Sequence, residues 1–438
     1  MSDKMRWKVV IMVFVLAIAS ITIATAQVSY DQQAILEELE AHEAQVALES
    51  YLDAIYGEGF MANHRQAEED LQALYEMFPR NRSEDVIYPI YYGGAYFDEM
   101  GHLVLLIARP YIEIARTHGV LTQAFRYRVV DFSITDANET VNSIVSAVEE
   151  RRALDCIYTK NISFFGIGAD NLIGIYLEEY NEEMIAGFRA YVYDSPMIYF
   201  GQAERLIIHS YAQGDAPPFC LYSTNDNLYN NCFIYGEEGV QPLFDWDLGP
   251  GQALSRSFTT TVHGTSGFRV ECTRSGERGI LSSGHVFSQS QNVFATSALA
   301  SFGTTRRRAL SDFNDASFIV LHTSMTNITL TNRLPNGATA APLTTPPTRD
   351  MVVMMAGGAT GGVSHGRVTL INTAVPTTGG RTYQNMVLST IPSRGGDSGG
   401  GVISGTAHTV GISFAGDSSQ TAFVPISRVL TDLGVRRY

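Results

Sequence analysis

Gly395, Gly396, Asp397, Ser398, Gly399 and Gly400 form a run that sets one hydroxyl between glycines and directly behind a carboxylate. A serine hydroxyl is a weak nucleophile. Acyl chemistry therefore asks for a tight turn that exposes its oxygen and points backbone N–H groups at the reacting carbonyl. Gly396 and Gly399 allow backbone conformations closed to other residues and let a substrate come close. Taken alone, the run also reads as a glycine-rich surface turn. Its surroundings argue for more. After about Gly239 the sequence becomes short apolar runs broken by Gly, Ser, Thr and Asn, the texture of many short strands. The roughly 190 residues of this texture suit two small antiparallel barrels.

The stretch GDSGG at 396–400 resembles the active-site serine motif of the chymotrypsin-like serine proteases. The resemblance implies a double six-stranded antiparallel barrel and a Ser/His/Asp acyl-enzyme mechanism. Ile280 to His285 resembles the apolar strand that ends in the family's histidine, with Ser283 where alanine is usual. Histidine suits the role of general base because its ordinary pKa lies near neutrality. The imidazole needs a buried carboxylate to fix its tautomer. Asp315, followed by Ala316 and the apolar Ser317 to Val320, resembles the family's aspartate, and Asp312 is the rival in the same loop. The order His285, Asp315, Ser398 is the chymotrypsin order. Gly396 and Ser398 would supply the oxyanion-hole N–H groups.

Counting back from Ser398, the base of the substrate pocket falls near Pro392 and Ser393, with no carboxylate to hold a basic side chain. An apolar or small residue is expected there. The far wall should come from Gly411 to Gly416, where Ser413 or Phe414 takes the family's serine position depending on register, and Thr421 completes the substrate-binding set. A phenylalanine pointing inward would make the pocket shallow. The resemblance has Asp397 pairing with a positive group, in bacterial relatives an arginine just before a glycine-rich turn. Met355 stands there, leaving Arg367, Arg381 or a new amino terminus as the partner.

The first part has a different composition. Residues 1–244 hold 35 Asp and Glu against 15 Lys and Arg, net −20; residues 245–438 hold 10 against 15, net +5, for a total of −15. Opposite charges suggest mutual attraction of the two parts. Lys4, Arg6 and Lys8 precede an apolar run, Val9 to Ile23, and Ala24, Thr25, Ala26. That pattern predicts a signal peptide over 1–26, cleavage before Gln27, and a secreted, extracellular product. An uncleaved membrane anchor is the alternative. Residues 27–80 predict an acidic helical segment, and 81–240 an α+β pro-region ahead of a protease domain over 241–438.

Val86 to Tyr92 and Leu103 to Ile107 predict a β-hairpin with a glycine-containing turn in the stretch Gly93 to His102 between them. In Asn171 to Phe200 a strand, a helix and a strand follow one another. Both phrases are similar to pro-regions of streptogrisin and alpha-lytic type proteases, which assist folding and inhibit until removed. The alternative is an unrelated tethered α+β domain. Of four cysteines, Cys220 and Cys232 are the expected disulfide, while Cys156 and Cys272 stay unassigned. Val286 stands where the family has a cysteine after its histidine. No metal-ligand spacing is present and no cofactor is implied. The exposed-looking Arg306, Arg307 and Arg308 lack the aromatic interleaving of a nucleic-acid site. The reading is thus a secreted zymogen of a monomeric serine endopeptidase acting on proteins or peptides. A pseudo-protease that binds a partner is the competing reading, kept open by Ser283, Val286, Met355 and Phe414.

Overall fold

Alternating and fully apolar runs after residue 246 fold as strands because each must bury one or both faces. The computed structural model describes residues 39–81, 86–121, 125–208, 233–236, 239–242, 246–257, 261–296, 301–377 and 381–438. The apolar N-terminal run and the Cys220–Cys232 pairing lie outside them. Cys156 and Cys272 are free thiols.

The acidic segment forms two helices, α1 over 39–56 and α2 (Phe60–Met77). Next come β1 (Tyr92–Phe97), β2 (Leu103–Ala108), α3 (Ile112–Thr117), β3 (Arg126–Val130), α4 (Ile134–Ala153) and α5 (Ile157–Lys160). Then follow β4 (Ile162–Ile167), β5 (Ile173–Leu177), α6 (Glu182–Tyr191) and β6 (Ile198–Gln202). Helix α4 starts at a capping box in which Ser133 and Asp136 satisfy each other's backbone N–H groups. It buries Ile134, Ala137, Val141, Ile144, Val145 and Val148, one stripe at helical spacing.

The expected hairpin forms, its first strand running through the two glycines. Gly93 and Gly94 lie inside β1, and the turn is made by residues 98–101. Gly93 is a strand residue because a Cβ there would come within 2.9 Å of the Leu106 carbonyl oxygen. Gly94 takes a φ of +96° at the irregularity between Tyr92 and Ala95.

A short hairpin, β7 (Phe233–Gly236) and β8 (Gly239–Pro242), leads to β9 (Trp246–Leu248). The first barrel comprises β10 (Ala253–Ser255), β11 (Gly264–Thr265), β12 (Arg269–Cys272), β13 (Arg278–Ser282), β14 (Asn292–Ala295), β15 (Ser301–Ser311) and β16 (Asn314–Leu321). β11 and β12 are successive pieces of one run. The first piece pairs with β10 and the second with β13, which closes the sheet.

After β17 (Ile328–Leu330), which pairs with β9, the second barrel is built from β18 (Val352–Gly357), β19 (Gly362–Pro376), β20 (Thr382–Ser389), β21 (Gly401–Ser404), β22 (Thr409–Gly416) and β23 (Thr421–Pro425). Closure comes from β18 pairing with both β19 and β21. Counting the β11–β12 run as one strand, both barrels have the order first, second, third, sixth, fifth, fourth. Helix α7 (Ile426–Leu433) and β24 (Val435–Arg437) then return the chain to the first barrel, β24 lying along β12.

The N-terminal part and the second barrel share their interior. Phe97, Ile107, Ile144, Phe165 and Phe188 pack in one apolar cluster with Met351, Val353, Met355, Val402 and Phe423. The sheet is continuous as well, since β4 pairs with β19 at Ile371↔Ile167 and Ala374↔Phe165. Burial of this apolar area contributes roughly 25 cal/mol per Å². It outweighs the exposed ion pair Glu40–Arg333 that also crosses the boundary.

Candidate active site

The facing ends of the two barrels carry the residues picked out in the sequence. His285 follows β13, and Asp315 sits at the start of β16, which pairs with β13. The imidazole Nδ1 lies 2.9 Å from Asp315 Oδ2, and the His285 backbone N–H donates to Oδ1 at 2.7 Å. Asp315 is fully buried. Burial alone would push its carboxyl up, yet the His285 charge and hydrogen bonds hold it below its ordinary value. Asp312, the rival, is half-exposed and pairs with Arg381 at 3.4 Å.

Ser398 comes from the second barrel, in the turn before β21. Gly396 and Gly399 take φ of +98° and +99°, conformations that L side chains resist. A Cβ on Gly399 would also strike Ser282 Oγ and the Thr265 carbonyl. Barrel one grips the turn directly. Thr265 N–H donates to Ser398 O at 2.8 Å, and Thr265 Oγ1 to Gly396 O at 2.7 Å. Ser283 hydroxyl donates to Ser413 O at 2.8 Å, which ties the histidine loop to β22. Ser398 Oγ donates to the Phe414 carbonyl at 3.1 Å.

Among the described residues of the unprocessed chain, Asp397 is met by N–H and hydroxyl donors and by neither Arg367 nor Arg381. Its carboxylate accepts from Ala359 N–H and Thr360 N–H at 2.9 Å each, from Arg394 N–H at 3.0 Å, and from the Thr360 hydroxyl. Arg367 instead lies over Tyr56 and Phe60, and Arg381 pairs with Asp312. A nest of N–H donors does the work a guanidinium would do. Met355 accordingly serves as a buried core residue of β18.

Beside Ser398 is a cavity lined by Ser393, Arg394, Asp397, Ser413, Ala415, Gly416 and Thr421, and by Ile207 of the N-terminal part. Ser393, Ser413 and Thr421 are thus brought together as expected. Phe414 is placed elsewhere: its side chain is buried against Tyr383, with ring centroids 4.9 Å apart, and only its carbonyl faces Ser398. Ser393 N–H donates to Asp417 O at 2.8 Å, which joins the two walls. Ala415 and Gly416 belong to the stretch expected as the far wall, while Ile207 and Arg394 were not read from the sequence. For Ile207 the available signal was the apolar run Leu206, Ile207, Ile208 just ahead of a polar stretch.

A family described as the Pro-like C-terminal domain matches residues 134–203, which hold α4 to β6. Among solved structures the chain is similar to a chymotrypsin of Cellulomonas bogoriensis, with 22% identity, 44% of this chain and 99% of that one covered, and a TM-score of 0.37. It is similar also to protease A of Thermobifida fusca, at 23% identity over 44% of this chain and 98% of that one, TM-score 0.36. A Nocardiopsis protease gives 24% identity with the same shares and a TM-score of 0.36. The two-barrel part is, from its own strand pairings, the double six-stranded antiparallel barrel expected from the sequence. No curated protein matches the chain.

Proposed function

We propose that the chain is the precursor of a secreted serine endopeptidase. The observation that carries this is the His285–Asp315 pair, 2.9 Å apart with the carboxylate fully buried, in a loop tied by the Ser283 hydroxyl to Ser413 of the cavity beside Ser398. In this reading Ser398 Oγ attacks the scissile carbonyl and gives its proton to His285 Nε2. Asp315 keeps the ring in the required tautomer, and the N–H groups of Gly396 and Ser398 receive the developing oxyanion. His285 then returns the proton to the departing amine, and water repeats the sequence to release the acyl group. Among the lining residues the only carboxylate is Asp397, and it is already saturated by N–H donors. Small or apolar side chains are therefore the proposed substrates for the cavity. The N-terminal part acts as a pro-region: Ile207 sits in the cleft and Gly416 N–H donates to its carbonyl at 3.3 Å. Hydrolysis of unfolded casein by the purified, processed protein, compared with the Ser398→Ala variant, tests the activity. Equal rates for the two would refute it.

A further inference from the structure

The run Arg306, Arg307, Arg308 comes apart in the fold. Arg306 pairs with Glu277 at 3.6 Å, and Arg307 is tied to the carbonyls of Leu433 and Gly434 and to the Cys272 sulfur. Arg308, exposed on β15, turns instead to the histidine loop, where its Nε donates to Gly284 O at 2.5 Å. A second arginine meets the same loop from β10. Arg256, the residue after that strand, donates from Nε to Val286 O at 2.6 Å and from Nη2 to His285 O at 3.5 Å. Two guanidinium groups thus sit on three successive carbonyls centred on His285. A guanidinium carries several N–H donors in a fixed fork, and these contacts use two on Arg256 and one on Arg308. Among the described residues neither forms an ion pair with a carboxylate, whereas Arg306 and Arg381 both do.

Packing sets where these charges stand relative to Ser398. The cavity that would take the acyl side of a substrate lies toward Ser393, Ser413 and Thr421, and no residue of β10, β11 or the histidine loop lines it. Those elements meet the nucleophile turn from elsewhere. Thr265 N–H holds Ser398 O, and a Cβ on Gly264 would lie 2.8 Å from Val286 Cγ1 and 3.1 Å from Ser398 O. Gly264 therefore wedges between the histidine loop and the serine, outside the cavity, and Arg256 caps Val286 on the loop's side of that wedge. A substrate that fills the cavity with its acyl side leads its other half past the wedge. We infer that Arg256 and Arg308 form a cationic subsite for that leaving-group half, selecting Asp or Glu at the first or second residue after the scissile bond. The inference rests on the serine-protease reading. A carboxylate matches the planar fork of a guanidinium, and a Lys or Arg at the same place meets like charge. The counter-ion must come from outside, since Asp315, Asp312 and Glu277 are already committed to His285, Arg381 and Arg306.

The test digests a peptide library carved from a proteome with the processed wild-type protein, Arg256→Gln and Arg308→Gln, and reads the residues after each cut by mass spectrometry. Wild type is expected to favour Asp and Glu over Asn and Gln about fivefold at the first or second of these positions, the scale of a charge-assisted contact at a half-exposed site. Lys and Arg are depleted there. Raising the salt from about 0.05 M to about 0.5 M compresses the preference toward unity, because partly exposed charges are screened. Each variant narrows the preference about twofold, the share of one exposed ion pair. A merely structural disturbance of the histidine loop slows every cut alike and leaves the ratio as it was. If neither variant folds, the wild-type ratio and its salt dependence carry the test. Wild type that cuts without regard to charge after the bond, or folded variants that keep the wild-type ratio, would overturn the subsite alone. Wild type that cuts no peptide and takes no fluorophosphonate on Ser398 would remove the serine-protease reading beneath it.

Discussion

The Ile207 carbonyl accepts a hydrogen bond from Gly416 N–H at 3.3 Å, in an antiparallel bridge on the wall of the cleft that holds Ser398. The N-terminal part thus occupies the surface a substrate strand would pair with, and Leu206 beside it is anchored in the core. In the unprocessed chain, Ile207→Asp should set a charge against this cleft and loosen the segment. The rate at which a fluorophosphonate labels Ser398 should then rise several-fold over the unprocessed wild type. An unchanged rate would mean that the segment does not restrain the site.

Gly399→Ala should damage the site from within. The substitution meets both a φ of +99° and direct overlap with Ser282 Oγ and the Thr265 carbonyl. A loss of roughly 2–4 kcal/mol in stability is expected, the range of strained and overpacked substitutions. Thermal unfolding measures it, and a melting temperature within a degree of wild type would contradict the geometry described for the turn.

Acid should weaken the union of the N-terminal part with the second barrel. Glu68 of α2 is buried, which raises its pKa, but the hydrogen bond with His408 and the close approach of His64 outweigh burial and bring it to about 2. The His64 Nε2 accepts Val352 N–H at 3.1 Å, so its Nδ1 carries the proton that faces Glu68, 3.0 Å away. A carboxylate with a depressed pKa stabilises the fold above its ordinary value of 4.5, and that stabilisation fades as pH falls toward 2. Urea unfolding at pH 6 and pH 3 should therefore differ more for wild type than for Glu68→Gln, which should cost roughly 3 kcal/mol at pH 6. Parallel pH dependence in the two proteins would show that Glu68 contributes nothing to the acid response.

Much of this site was legible because its chemistry is local in sequence. A nucleophile between glycines, a histidine closing an apolar strand and an aspartate opening one each need only their neighbours to be read. Barrel closure was legible as a texture of short strands, while the pairings that achieve it, such as β18 with β21, join distant segments. Which part of Gly93 to His102 would turn was not legible, because glycine serves close packing inside a strand as readily as it serves a turn. The partners of Asp397 were not legible for another reason. A carboxylate's need for positive charge can be met by backbone N–H groups, which leave no trace in residue identity.

The most direct test of the whole account is reaction of the purified protein with a fluorophosphonate probe, followed by mass spectrometry of the labelled residue and of the amino terminus. The account predicts a single adduct on Ser398, carried by a fragment of roughly 20 kDa that begins after residue 208, and no adduct in Ser398→Ala or His285→Ala. A natively folded protein that takes no label on Ser398, processed or not, would contradict it.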